Sequence, residues 1–431
     1  MITIKHPFLF IILLLSACSS LVLTPPAVDI SATPTIIPPT TLLTATETSI
    51  PVLPTSTPPV VTFREQCLDI STDVNLLQGG NEDKGVLVIT QDDSSDVLYS
   101  KLKSPYLYEV GTGLKTNVPG GSSFAVSLDR EQSAYITQDD FLIIADRNGD
   151  EIVKRPFTDI SIFRWVKDGL IVWGENGQAF LNPITNERME LDDEFPNIYS
   201  VKYEWDYAIY DPTLTRVVYP VLDESRAGSW VEVKKDDVTG GSSFVYKPQL
   251  PETYISLWDV QAKKEIVEVS RNSRNLFLPL VKPEWSSDGE QVIIAIVDNN
   301  PNKDGSGRKL VSVSKNGLVK TLILMPPDFG MMRFSLSVDQ RHLAFWAPDP
   351  TDDFQIENLS LNVFDLVTGE ITNYCIISPS ISFQPIWSPD NRYLVVELSI
   401  DGENSEVVVV DIEKNIAVKI ADNAMPVGWL K

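Results

Sequence analysis

General acid-base and nucleophilic chemistry near neutral pH leans on histidine, and this chain of 431 residues has two, His6 and His342. His6 lies in a short apolar leader, so His342, between Arg341 and the run Leu343 to Trp346, stands alone for that work. A Ser-His-Asp hydrolase would have to recruit it. No Gly-x-Ser-x-Gly elbow occurs, and Gly120-Gly121-Ser122-Ser123 precedes a predicted strand rather than a strand-to-helix turn. His342 therefore reads as a strand residue. Paired carboxylates offer a second route, and an acidic ring of sheets can gather Asp and Glu around its centre, as a glycan hydrolase would need. A third candidate is the segment Asp298 to Gly305, where Asn300, Asn302, Asp304 and Gly305 alternate like the early half of a calcium loop. Val311 stands where the late bidentate acid belongs, so a hairpin loop rich in Asn and Asp accounts for the segment. No catalytic residue, metal ligand or cofactor is assigned.

Cysteine is the remaining reactive type, at Cys18, Cys67 and Cys375. Lys5 precedes the apolar run Phe8 to Leu15, and Leu15-Ser16-Ala17-Cys18 follows directly. The run is too short to span a bilayer comfortably, and small residues before a cysteine suit a cleavage site. The phrase resembles the lipobox of bacterial lipoproteins. That resemblance implies removal of residues 1–17, a lipid on Cys18, and attachment to the cell membrane or outer membrane, facing outside the cytoplasm. One acyl chain gives marginal binding; the several that such lipoproteins carry give a stable anchor. For Cys67 and Cys375 two readings stay open. They form a disulfide, which compartments outside the cytoplasm tolerate, or they are two separate buried thiols.

Composition divides the rest of the chain. From Leu21 to Thr62 there are nine prolines and eleven threonines and almost no charge, so this stretch cannot bury a core. Residues 18–63 read as a lipid-anchored, disordered Thr/Pro-rich tether, with extended geometry rising ~3.1 Å per residue. Residues 64–431 read as one domain. The chain has 35 Lys plus Arg against 59 Asp plus Glu, a formal charge of −24. Such a surface repels phosphate backbones and anionic headgroups, which argues against nucleic acid and leaves membrane contact to the lipid. Cationic partners or metal ions fit it better.

The elements that would position any site show a period. Asp288, Asp339 and Asp390 are each 51 residues apart, and two of them sit in Trp285-Ser286-Ser287-Asp288-Gly289 and Trp387-Ser388-Pro389-Asp390-Asn391. Self-similarity at this spacing marks stacked or radially arranged units. Each unit runs through an anchor strand, an Asp turn, a second strand, a hairpin and two more strands. Asn148-Gly149, Asn316-Gly317 and Thr368-Gly369 mark hairpins. Earlier units keep the order around Asp129, Asp168 and Asp211, and the 77 residues from Asp211 to Asp288 place an insertion at 223–253, with Trp230, Phe244 and Tyr246 as candidate recognition aromatics. The predicted strands Gly85 to Thr90, Val97 to Leu102 and Tyr106 to Val110 lack an anchor, while Met425 to Leu430 is an anchor with nothing after it. The carboxy-terminal strand is expected to complete that first unit. The reading is an all-β, seven-bladed β-propeller, with six or eight blades left open by the insertion.

The phrase Trp-Ser-Pro-Asp followed by Arg392-Tyr393-Leu394-Val395-Val396 resembles the repeat of TolB-type, WD-like propellers, over about residues 85–431. It is unlike the sialidase box Ser-x-Asp-x-Gly-x-Thr-Trp. The resemblance implies the fold; the lipoprotein-like leader and the shortage of catalytic groups lead to a non-enzymatic binding platform for a protein or glycan of the cell envelope, with a channel-carboxylate glycan hydrolase as the alternative.

Overall fold

In the computed structural model the described residues are 61–78, 84–91, 103–119, 121–174, 177–191, 208–223, 229–233, 243–247, 252–272, 282–297, 308–325, 331–348, 358–379, 383–399 and 404–431. They build seven blades of four antiparallel strands, two of them extended by a fifth, parallel strand, and a separate two-stranded hairpin, with no α-helix. Blade 1 joins Ala424–Leu430 to Val86–Gln91, Lys103–Glu109 and Lys115–Asn117. Blades 2, 3 and 4 begin with the inner strands Gly121–Val126, Ser161–Val166 and Ile209–Tyr210. Blades 5, 6 and 7 begin with Glu284–Trp285, Met332–Leu336 and Ile386–Trp387.

Strand alternation explains why the sheets stand side by side. In Val86–Gln91, Val86 and Val88 pack with Tyr135 and Ile143 of blade 2, while Leu87 and Ile89 pack with Tyr393 and Val395 of blade 7. A strand buried on both faces reads as a continuous apolar run, which is what these sequences are. The same division gives one buried cluster for every pair of neighbouring blades, seven in all, so the ring is closed. Closure runs through the expected strand: Trp429 lies opposite Leu87, and its indole N–H donates to the Lys84 carbonyl at 3.0 Å. Gly428 is required there, because a Cβ would stand 2.2 Å from Val126 Cγ2 of the next inner strand.

The repeated phrase is a turn device. Ser286 Oγ donates to Asp288 Oδ1 at 2.6 Å and accepts from Gln291 N–H at 3.1 Å, while Asp288 Oδ1 also accepts from Glu290 N–H at 3.0 Å. The same bonds recur at Ser127-Asp129, Ser337-Asp339 and Ser388-Asp390. In blade 4, Asp211 does both jobs and takes Arg216 N–H directly at 2.6 Å. The indoles of Trp285 and Trp387 donate to Ile209 and Ser335 carbonyls of the preceding blades, at 3.0 and 3.1 Å. These are structural uses of Asp, Ser and Trp.

Three strand assignments differ from the sequence reading. The third and fourth strands of blade 1 are Lys103–Glu109 and Lys115–Asn117; Val97 to Leu102 falls outside the described residues. Lys115–Asn117 is short and exposed, so it carries no apolar alternation to read. The insertion is not a blade: Ser229–Val233 pairs with Ser243–Lys247 in a hairpin of its own, between the second and third strands of blade 4. The side chains of Trp230, Phe244 and Tyr246 lie outside the described part of the structure. Finally, the segment before blade 1 is not tether alone. Thr62–Glu65 adds in parallel to the outer strand Glu370–Ser378 of blade 6, and Ile70–Ser71 to the outer strand Ile416–Asp422 of blade 7.

Candidate functional site

The only long-range covalent bond among the described residues lies in that outer strap. Cys67, between the two added strands, is joined to Cys375 on the outer strand of blade 6, with Cα atoms 4.7 Å apart. Gln66 N–H and Leu68 N–H donate to the carbonyls of Asn373 and Tyr374 on either side, at 2.8 and 3.1 Å. The strap thus carries the chain past blades 6 and 7 and into blade 1. Cys18 and the segment 298–305 lie outside the described residues.

His342 opens the second strand of blade 6, half-buried, with Nε2 3.8 Å from Asp365 Oδ2. Burial holds its imidazole below the usual range against the pull of Asp365, and its ring lies 5.8 Å from that of Trp387. No serine hydrogen-bonds to the ring: Ser337 Oγ accepts the backbone N–H of His342 in the turn. Among the described residues no group of three His, Cys, Asp or Glu could hold a metal ion.

The chemistry gathers instead on the ring axis. Glu284, on the inner strand of blade 5, accepts from Leu336 N–H of blade 6 at 3.1 Å and from Gln384 Nε2 of blade 7 at 3.2 Å, both through Oε2. Arg130, on the Asp129 turn of blade 2, donates to the carbonyls of Trp387 and Trp429 at 2.9 and 3.4 Å. Burial lowers its guanidinium pKa, opposed by Glu284. Arg130 and Glu284 come from blades three apart, so they meet only at the centre. Burial pushes the Glu284 carboxyl up to about 8, against the bond from Leu336 and the charges of Lys282 and Arg130. Burial lowers the Lys282 ammonium to about 8, helped by Arg164 of blade 3 and Arg333 of blade 6 and opposed by Glu284. Lys282 and Arg130 therefore act on the Glu284 carboxyl, and Arg164 and Arg333 on Lys282, in a protein whose formal charge is −24. Asp129, Asp288, Asp339 and Asp390 serve the turns, and among the described residues Glu284 is the acid that lines the cavity here.

A cavity of about 390 Å³ opens beside this cluster. Arg130, Glu284, Ser335 and Gln384 supply its polar wall, and Phe383, Trp387, Met425, Pro426 and Val427 much of its apolar one. Sequence reasoning missed these residues, although the signal was present. Lys282, Arg333 and Gln384 are 51 residues apart, as are Glu284, Ser335 and Ile386, the same two positions ahead of the anchor in three successive blades. The period that marks the structural Asp also marks the channel wall.

No family model matches the sequence, and no curated protein matches it. Solved structures that it resembles include TolB from Acinetobacter baumannii, 12% identical over 81% of this chain and 67% of that one, with a TM-score of 0.40. Oligogalacturonate lyase in complex with manganese is 11% identical, covering 78% and 85%, at 0.44. The dihydro-heme d1 dehydrogenase NirN in complex with DHE is 11% identical, covering 83% and 76%, at 0.45. At these values the likeness reaches no ligand and no reaction. The chain is an all-β protein whose seven blades close into a β-propeller.

Proposed function

We propose that this chain is an exported lipoprotein, anchored through Cys18, whose propeller acts by binding a protein or glycan of the cell envelope and performs no reaction. The address is supported by Leu15-Ser16-Ala17-Cys18 and by the Thr/Pro-rich stretch after it. The observation that carries the binding reading is the convergence of Arg130, Glu284, Gln384 and their neighbours from separate blades on one cavity. A rigid ring that presents fixed donors and an apolar wall is built to recognise. The alternative, a glycan hydrolase working through channel carboxylates, requires a pair on either side of the scissile bond. The described cavity wall supplies Glu284, and its acceptor capacity is partly taken by Leu336 and Gln384.

The test has two arms. Cys18→Ser should move the protein from the membrane fraction to the soluble fraction, and retention at the membrane would refute the anchor. A panel of chromogenic glycosides and peptides, with and without calcium, should give no turnover above buffer, whereas hydrolysis abolished by Glu284→Gln would establish the alternative. Crosslinking in intact cells should then recover an envelope partner.

A further inference from the structure

We infer that the axial cavity binds a small organic carboxylate, its acid group held by Arg130 and its body against the apolar wall. This rests on the channel being the binding site. Three independent features converge. The cavity, at about 390 Å³, falls in the size range of small-molecule sites. Its wall is divided: Arg130, Ser335 and Gln384 supply donors on one part, and Phe383, Trp387 and Met425 an apolar face on another. Ser335 is 5% exposed, and its Oγ has no hydrogen-bond partner, in a fold that otherwise satisfies its turn serines. A buried hydroxyl left unpaired is costly, and a ligand oxygen at the cavity would relieve it.

Charge selects the ligand class. Among the described lining residues Arg130 is the cation and Glu284 the acid, and because Glu284 holds its proton up to about pH 8 while Lys282 adds positive charge beside it, an anion is favoured over a cation. The guanidinium of Arg130 has five N–H donors in a planar fork, of which Nη1 serves two carbonyls, and a planar carboxylate matches such a fork. Phosphate would demand donors on every side, which the proline, methionine and valine of the wall do not give.

The probe is phenylacetate, compared with phenylacetamide and inorganic phosphate, by saturation-transfer NMR and calorimetry on the full chain. Phenylacetate should bind at least about ten-fold more tightly than its amide, the discrimination expected of a charge-assisted contact. Above about pH 8, where the Glu284 carboxyl has lost its proton, Glu284→Gln removes the opposing charge and should tighten phenylacetate by about three-fold or more, while Arg130→Gln should abolish binding. Since Arg130 also secures two carbonyls, Lys282→Gln provides a second variant, expected to weaken binding several-fold without touching that wall. Absence of phenylacetate binding, equal binding of acid and amide, phosphate binding as tightly as phenylacetate, or weaker binding by Glu284→Gln would each overturn the inference. Failure here with an envelope partner still recovered by crosslinking leaves the platform reading standing. Turnover of a glycoside with the carboxylate bound would sink that reading alone.

Discussion

Cutting the Cys67–Cys375 bond should destabilise the propeller through its unfolded state. The two cysteines are 308 residues apart, and closing a loop of that length removes denatured-chain entropy worth about 6 kcal/mol in the loop-entropy model, a ceiling above the roughly 2–5 kcal/mol common for native disulfides. The folded side should change little. Thr62–Glu65 stays paired to Glu370–Asn373, and the bonds of Gln66 and Leu68 to the same strand need no cystine. Cys67→Ala with Cys375→Ala should therefore lose about 2–5 kcal/mol and keep its native tryptophan fluorescence. Guanidinium unfolding should show a lower midpoint and also a steeper slope, because the uncrosslinked denatured chain exposes more surface. Wild type in reductant should follow the double variant. A loss under ~1 kcal/mol with an unchanged slope would refute the reasoning.

The remaining expectations concern ring closure and the axial charges. Trp429→Ala empties a fully buried site at the last interface and strips the Lys84 carbonyl of its donor, so it should cost about 3–5 kcal/mol, read by chemical unfolding; a loss near zero would mean that the carboxy-terminal strand does not hold the ring. For Glu284, whose carboxyl rises from 4.5 to about 8 on folding, the folded chain keeps a proton that the unfolded chain has released between those values. Stability must fall as pH rises through that interval. Lys282 falls from 10.5 to about 8, so the folded chain lacks a proton that the unfolded chain retains above about pH 8, and stability recovers from there, where the folded chain has nothing left to lose from Glu284 and the unfolded lysine still binds its proton. For Lys282 alone the sign is opposite: more protons bound in the unfolded chain mean stability rising with pH until the unfolded lysine also titrates. The profile should have a trough near pH 8. Glu284→Gln should abolish the falling limb, worth about 1–3 kcal/mol once the water reaching this half-buried group is allowed for, and melting temperatures across pH would disprove it if the two profiles ran parallel.

Repetition decides how much of the fold can be read from the sequence. A turn must solve the same geometric problem in every blade, so Ser-x-Asp recurs at Ser127, Ser286, Ser337 and Ser388, and its spacing announces the ring. Strands buried on both faces announce themselves as apolar runs such as Val407 to Val410. The unpaired carboxy-terminal strand and the anchorless first blade could be matched because an unpaired edge is a liability in any sheet. The strap escaped notice for the opposite reason: Thr62–Glu65 is exposed along its length and has no apolar pattern, and backbone pairing, the Arg64–Glu370 ion pair and the cystine hold it.

The axial site was hidden by a different cause. A channel residue is chosen for its ligand rather than for the blade, so residue type varies where position does not. Lys282, Arg333 and Gln384 share one register, and Glu284, Ser335 and Ile386 another, with no common chemistry in either set. A search for recurring residue types therefore finds the scaffold and passes over the site, and a count of total charge misleads as well. The acidic excess is spent partly at turns, where Asp129, Asp288, Asp339 and Asp390 accept backbone N–H groups, while Arg130 lines the axial cavity and Lys282 stands beside Glu284 with Arg164 and Arg333 near it. An acidic exterior around a cationic core would keep other polyanions from the surface yet admit a small one to the centre, since a short-range cluster prevails within a few ångströms of itself and the outer charge is screened over about 8–10 Å. Raising salt should weaken carboxylate binding less than a surface site would lose, because the axial charges are partly withdrawn from solvent.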